Sequence, residues 1–235
     1  LFNAAKDMFD YLDHHCKVQE ELSCISKNKG QLEGYAKDPI ASGMAMEAFI
    51  PDYFWKKHGG EVFIMGAGGS ARAISSYLFK QDKKDNMPSK LLINNRSQPR
   101  LEKFKRIFRE INNKVNVEYN ISPKHEKNDE VLKKLKPYSL VVNATGLGKD
   151  RPGSPLSDNC EFPKNSLIWE LNYRGERKFM HQALKQKNEK NLHIEDGWIY
   201  FIQGWSQVIF EVFNIDYDKK LIDRLDKVAS EIKDI

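Results

Sequence analysis

The chain has 235 residues, enough for one large domain or for one domain and part of a second. Hydrophobic residues make up 40% and charged residues 30%, an ordinary globular composition with material for a real core. The net charge is +5, from 38 Lys and Arg against 33 Asp and Glu; the two signs are interspersed, and no basic arm points to nucleic acid.

Taken in chain order, Phe2, Ala5, Phe9, Leu12 and Cys16 recur at three- and four-residue steps and predict an amphipathic helix over 2–16. Within it His14 and His15 are neighbours, and adjacent positions do not share a helix face, so no metal site is expected. Leu22–Lys27 and Gln31–Tyr35 flank Asn28-Lys29-Gly30 and read as a hairpin turning on the glycine. Asp38-Pro39 predicts a helix start, with Asp38 as N-cap, running to about Pro51. From Glu61 the pattern alternates. Strands are expected at 61–65, 90–94, 115–121, 138–142, 166–171 and 192–194. Helices are expected around 73–78, 101–111, 131–135 and 176–187, and two terminal helices at 200–213 and 219–232. Alternation of this kind needs an α/β fold with a doubly wound parallel sheet and ligands at the carboxyl ends of the strands.

Cys16, Cys24 and Cys160 are odd in number and form no CxxC, which argues against a disulfide scaffold or a zinc site and fits a reducing, cytoplasmic setting. No apolar run approaches a membrane span and no leader opens the chain. The first residue is Leu1 rather than Met, which reads as a processed or partly represented protein.

Gly66-Ala67-Gly68-Gly69-Ser70-Ala71 lies between a predicted strand and a predicted helix, the context a dinucleotide loop requires. Gly66 permits the tight turn, Gly68 admits the pyrophosphate, and Ala71 is small enough for helix to pack on strand. The helix start offers free N–H groups to phosphate. The second strand ends in Asn94-Asn95-Arg96-Ser97, with no carboxylate for a ribose 2′-hydroxyl. Arg96 and Arg100 can instead clamp a 2′-phosphate, so the expected cofactor is NADP on a Rossmann-type domain.

These residues resemble the shikimate dehydrogenase family. The loop Gly66 to Arg72 matches its GAGG(A/S)(A/S)R segment, and Asn95-Arg96-Ser97-Gln98-Pro99-Arg100 matches NRTxxR. Asn143-Ala144-Thr145, followed by Gly146, matches NAT; Glu170-Leu171-Asn172-Tyr173 resembles DxxY; Asp196-Gly197 with Gln203-Gly204 resembles the DG…QG segment. Gly30 to Gly43 resembles GxLxGxNTDxxG, which puts Asp38 at the catalytic aspartate.

The resemblance implies part of a smaller N-terminal α/β substrate domain over 1–55, an NADP-binding domain over 56–200, and C-terminal helices over 201–235 packing back. It implies a hydride transfer between NADP(H) and a cyclic hydroxy or keto acid, with Asp38 and Gln203 catalytic. Ser23, Tyr173, Asp38 and Gln203 would bind substrate, and Asn95, Ser97, Asn143, Ala144, Thr145, Gly146 and Gly197 would join the glycine loop, Arg96 and Arg100 in the cofactor site. Ala36-Lys37 stands where the family has Asn-Thr, and Leu22-Ser23-Cys24 where it has AVNT, so a related ring acid is expected rather than shikimate itself. The lysine that pairs with the aspartate in the family is expected upstream of Leu1; Lys6 and Lys37 are weaker candidates. The expected partners are a small-molecule substrate and, at most, a second copy of the chain, with no membrane. The alternative function is a non-catalytic NADP-binding regulator of the same fold.

Overall fold

The computed structural model describes residues 2–80, 83, 85–112 and 115–231. The chain opens with α1 (Phe2–Ala5), a 3-10 turn at Lys6–Met8, then β1 (Tyr11–Leu12) and α2 (His14–Gln19). The single helix expected over 2–16 is therefore broken by a strand. Its apolar spacing is real, but Phe9 and Leu12 are drawn instead to Gly34, where a Cβ would fall 3.1 Å from Phe9 and 2.7 Å from Leu12. Tyr11 and Leu12 pair in parallel with Glu33 and Gly34, and non-local pairing overrides local periodicity. Asp13 then caps α2, its carboxylate accepting from Cys16 N at 2.6 Å.

The hairpin forms as expected: β2 (Cys24–Asn28) pairs antiparallel with β3 (Gln31–Tyr35). Lys29 (φ 48°) and Gly30 (φ 88°) are both left-handed, the geometry of a two-residue hairpin whose twist matches its strands. The N-terminal sheet has the order β1-β3-β2.

In α3 (Asp38–Glu47) the N-cap is Lys37, not Asp38. Lys37 already has helical angles and its carbonyl accepts from Ala41 N at 2.9 Å. Asp38 is thus the first helical residue and makes no capping bond, which frees its carboxylate. A short α4 (Phe54–His58), not expected from sequence, ends on Gly59 at φ 65°.

The second sheet has six parallel strands in the order β6-β5-β4-β7-β8-β9. Along the chain its elements are β4 (Val62–Met65), α5 (Gly69–Leu78), β5 (Leu91–Asn95), α6 (Gln98–Ile111), β6 (Val117–Ile121), α7 (His125–Leu132), β7 (Leu140–Asn143), β8 (Leu167–Glu170), α8 (Lys178–Lys190) and β9 (His193–Glu195). Two helices follow, α9 (Trp198–Phe213) and α10 (Lys219–Ser230). This is the doubly wound order, with its reversal between β4 and β7. The helix expected at 131–135 instead begins at His125. Its buried face includes Asn128 and Asp129, which bond to Asn94, Pro155 and Ser157, and buried polar residues carry no apolar periodicity.

The central strands are buried on both faces. Val62 and Ile64 face one core layer with Ile74, Phe104 and Trp169, while Phe63 and Met65 face the other with Phe162 and Phe179. Ala45, Met46, Phe54 and Trp55 join the first layer, so α3 and α4 share the core of the large sheet. No helix among the described residues is long and apolar enough to cross a membrane.

Candidate active site

The reversal of strand order opens a crevice at the carboxyl ends of β4 and β7, and the glycine loop stands in it. Gly66 N donates to Asn94 O and Ala144 N to Met65 O, both at 2.8 Å. Gly66 has φ 113°, and a Cβ there would lie 2.5 Å from Ala144 O, so both conformation and space demand glycine. Gly68 is the N-cap of α5, and a Cβ on it would meet nothing within 4 Å. No side chain caps α5, which leaves its first N–H groups to the crevice. Ala67 and Ala71 are buried and offer only main chain. Ser70 is half-buried and hydrogen-bonds with Tyr200. Gly69 lies under the Glu21 carboxylate, which would stand 2.2 Å from a Cβ there. Glu21 in turn accepts from Arg72 Nη2 at 2.9 Å, on a side chain only 9% exposed.

At the end of β5, Asn95 Nδ2 donates to the Ser97 carbonyl at 3.0 Å, shaping the turn into α6. Ser97 is the N-cap, but its hydroxyl makes no capping bond. Arg96 and Arg100 are exposed, and among the described residues neither has a carboxylate partner.

Asn143 is fully buried and its carboxamide is spent within the protein. It donates to both Glu170 oxygens at 2.9 and 3.0 Å, and its oxygen accepts from Thr145 N and Oγ1. Its side chain thus shapes the loop from beneath and leaves Ala144, Thr145 and Gly146 as the loop's surface. Glu170 is fully buried and also accepts from Asn172 N and Nδ2. Burial pushes its carboxyl up to about 7 from an ordinary 4.5, against the opposing pull of those hydrogen bonds and of Arg177. The folded protein therefore keeps a proton that the unfolded chain releases. The contribution of Glu170 to stability is expected to fall by about 3 kcal/mol as pH rises from about 4.5 to about 7, and to change little above. Denaturant titrations at about pH 5 and about pH 8 measure this; Glu170→Gln removes that slope whatever its effect on absolute stability.

Asp38 opens onto a cavity of about 430 Å³ that also reaches Ser70, Ser23, Tyr173, Lys149 and Gly204. Burial, and then the neighbouring Glu21 carboxylate, push the Asp38 carboxyl up to about 6, with Arg72 pulling the other way. Tyr200 lies between Asp38 and Ser70, and burial raises its phenol above the ordinary range. Ser23 Oγ accepts from Lys37 N at 2.7 Å and keeps its own proton to donate. Gly197 lines the same cavity and starts α9 so close to β8 that a Cβ would lie 2.0 Å from Leu171 O. Gln203 is on α9 but, unlike its neighbour Gly204, is not among the residues that line this cavity; its amide oxygen is buried with no hydrogen-bond partner among the described residues. Lys37 turns away: its amine pairs with Glu211 and lies over the Tyr35 ring. Lys6 sits in the opening 3-10 turn and does not line the cavity. Sequence reasoning missed Lys149, Tyr200 and Glu21 as site residues; none belongs to a recognisable motif. A larger cavity of about 790 Å³ lies along the β6 edge, away from this loop. Among the described residues no cluster is fit to hold a metal.

No family model matches the chain. It is 27% identical over 210 residues to a shikimate dehydrogenase (NADP(+)) of Nitrosopumilus maritimus, covering 87% of this chain and 67% of that protein. It is 26% identical over 178 residues to a shikimate dehydrogenase (NADP(+)) of Methanopyrus kandleri, covering 74% and 56%. The chain thus spans about two thirds or less of these relatives. Among solved structures, the quinate dehydrogenase of Corynebacterium glutamicum in complex with NAD superposes with a TM-score of 0.75 at 17% identity, covering 97% of this chain and 74% of that one. The doubly wound sheet and the glycine loop at its reversal accompany this similarity to shikimate dehydrogenases.

Proposed function

We propose that the protein is an NADP-dependent oxidoreductase that moves a hydride between NADP(H) and a cyclic hydroxy or keto acid. The observation that carries this is the single cavity joining Ser70 of the glycine loop to the raised carboxyl of Asp38. The cofactor fits the residues present. The space above Gly68 is open, the N–H groups of α5 are uncapped by side chains, and Arg96 and Arg100 at the β5 end have no carboxylate partner among the described residues. Gly66 to Ala71 would hold the pyrophosphate through main chain and Ser70. Asn95, Arg96, Ser97 and Arg100 would hold the 2′-phosphate, and Ala144, Thr145, Gly146 and Gly197 would border the nicotinamide end. NADP(H), when bound, supplies or accepts the hydride.

The chain's own work is proton handling and orientation. Asp38 holds or takes the proton of the reacting hydroxyl, and a carboxyl near 6 does either close to neutral pH. Ser23 and Tyr173, which line the cavity, fix the ring; Gln203 lies on α9 next to the lining Gly204, and its buried, unpartnered amide oxygen would have to turn toward the cavity to accept from a substrate hydroxyl. In this reading 1–55 belongs to the substrate side, 56–200 to the cofactor and 201–235 closes the cleft. Three buried free thiols suit a cytoplasmic setting. A panel of cyclic hydroxy acids followed by NADPH absorbance tests the reading. Turnover of at least one, with NADP preferred to NAD, is expected. Tight NADPH binding by the full-length protein with no turnover of any would overturn it in favour of a non-catalytic binder.

A further inference from the structure

Lys149 follows β7 in a loop fixed from several sides. Asn172 Nδ2 and Asn143 Nδ2 donate to Leu147 O at 2.9 and 3.3 Å. Arg177 N donates to Gly148 O at 2.9 Å, and Gly148 N donates to Arg151 O at 2.6 Å. Gly175 approaches so closely that a Cβ on it would fall 2.9 Å from Lys149 Cα. With its backbone held, the half-buried side chain lines the cavity, and its amine stands 4.9 Å from the Tyr173 ring centroid. Tyr173 itself lies on Phe201, with centroids 4.3 Å apart. The ring face holds the amine by its quadrupole and leaves N–H donors free for an acceptor.

Neighbouring cations are committed elsewhere. Lys37 pairs with Glu211, Arg72 with Glu21, Arg177 with Asp196 and Arg174 with Asp150. Among the described residues no carboxylate pairs with Lys149, and it is the one cation lining this cavity. Among the described residues the one lining carboxylate is Asp38. The cavity is therefore bipolar, and an anionic ligand has one favourable orientation in it.

We infer that Lys149 binds the carboxylate of the cyclic hydroxy acid, which turns the reacting hydroxyl toward Asp38. This rests on the proposed function and adds the residue that selects the acid. The test is equilibrium binding to the full-length protein, with and without NADP. The probes are a cyclohexane-polyol carboxylate and its analogue with hydroxymethyl in place of the acid. The wild type is expected to prefer the carboxylate by roughly 10- to 100-fold. Lys149→Met abolishes that preference without changing NADPH affinity, and Lys149→Arg keeps most of it. A preference that survives Lys149→Met, or a wild type that binds neither probe or binds both alike, overturns the inference. So does a Lys149→Met variant that loses turnover of both probes equally with a displaced pH profile, because the amine would then serve the proton step. Preference without turnover instead sinks the oxidoreductase reading and leaves the anchor standing.

Discussion

Asp38→Asn is expected to lower kcat by about 10²- to 10⁴-fold while NADPH affinity stays within about twofold. The substitution keeps size and the position at the start of α3, where the Asp38 side chain makes no capping bond, so the fold loses nothing there. What is lost is, among the described residues, the only carboxylate lining the cavity. The pH profile separates this from a packing defect. Asp38 titrates near 6, raised first by burial and then by Glu21. Alcohol oxidation, which needs the ionised form, should rise with pH through about 6 in the wild type, and that limb should vanish in Asp38→Asn. A variant with normal kcat and an unchanged limb would remove Asp38 from the chemistry.

The second large effect concerns cofactor choice. Arg96→Ala combined with Arg100→Ala is expected to weaken NADPH binding on the order of 10²-fold and to leave NADH binding nearly unchanged. Both guanidinium groups are exposed and without carboxylate partners among the described residues, so their removal breaks no internal ion pair. Thermal unfolding without cofactor should therefore be unchanged. Titration with each cofactor is the measurement, and equal losses for the two would show that the pair does not read the 2′-phosphate.

Much of this was legible in the residues because the physics was local. A glycine loop between a buried strand and a helix reports its own geometry, and Gly66 and Gly68 occupy the positions that geometry requires. The absence of a carboxylate at the end of β5 is equally local. The errors arose where distant pairing decided the outcome. Phe9 and Leu12 have helical spacing but are captured by Gly34, more than twenty residues on, and β1 follows from that. Asp38 is a good N-cap residue next to a proline, yet Lys37 already has helical angles and the helix begins one residue earlier. Asn128 and Asp129 are polar and read as surface, but Asn94, Pro155 and Ser157 give them buried partners. Lys149 was invisible for a related reason. Its place in the cavity depends on Gly175, Arg177 and Asn172, residues that follow a different strand.

The contact between Glu21 and Arg72 has a bearing on how such a site diverges. Arg72 is nearly buried, and its Nε already lacks a partner. Removing Glu21 would strand a guanidinium beside the cofactor loop, and removing Arg72 would leave two carboxylates, Glu21 and Asp38, facing each other. Neither residue can drift alone without cost. A substitution at either position is therefore expected to be tolerated only together with one at the other, so positions 21 and 72 behave as a single unit when the ligand of the site changes.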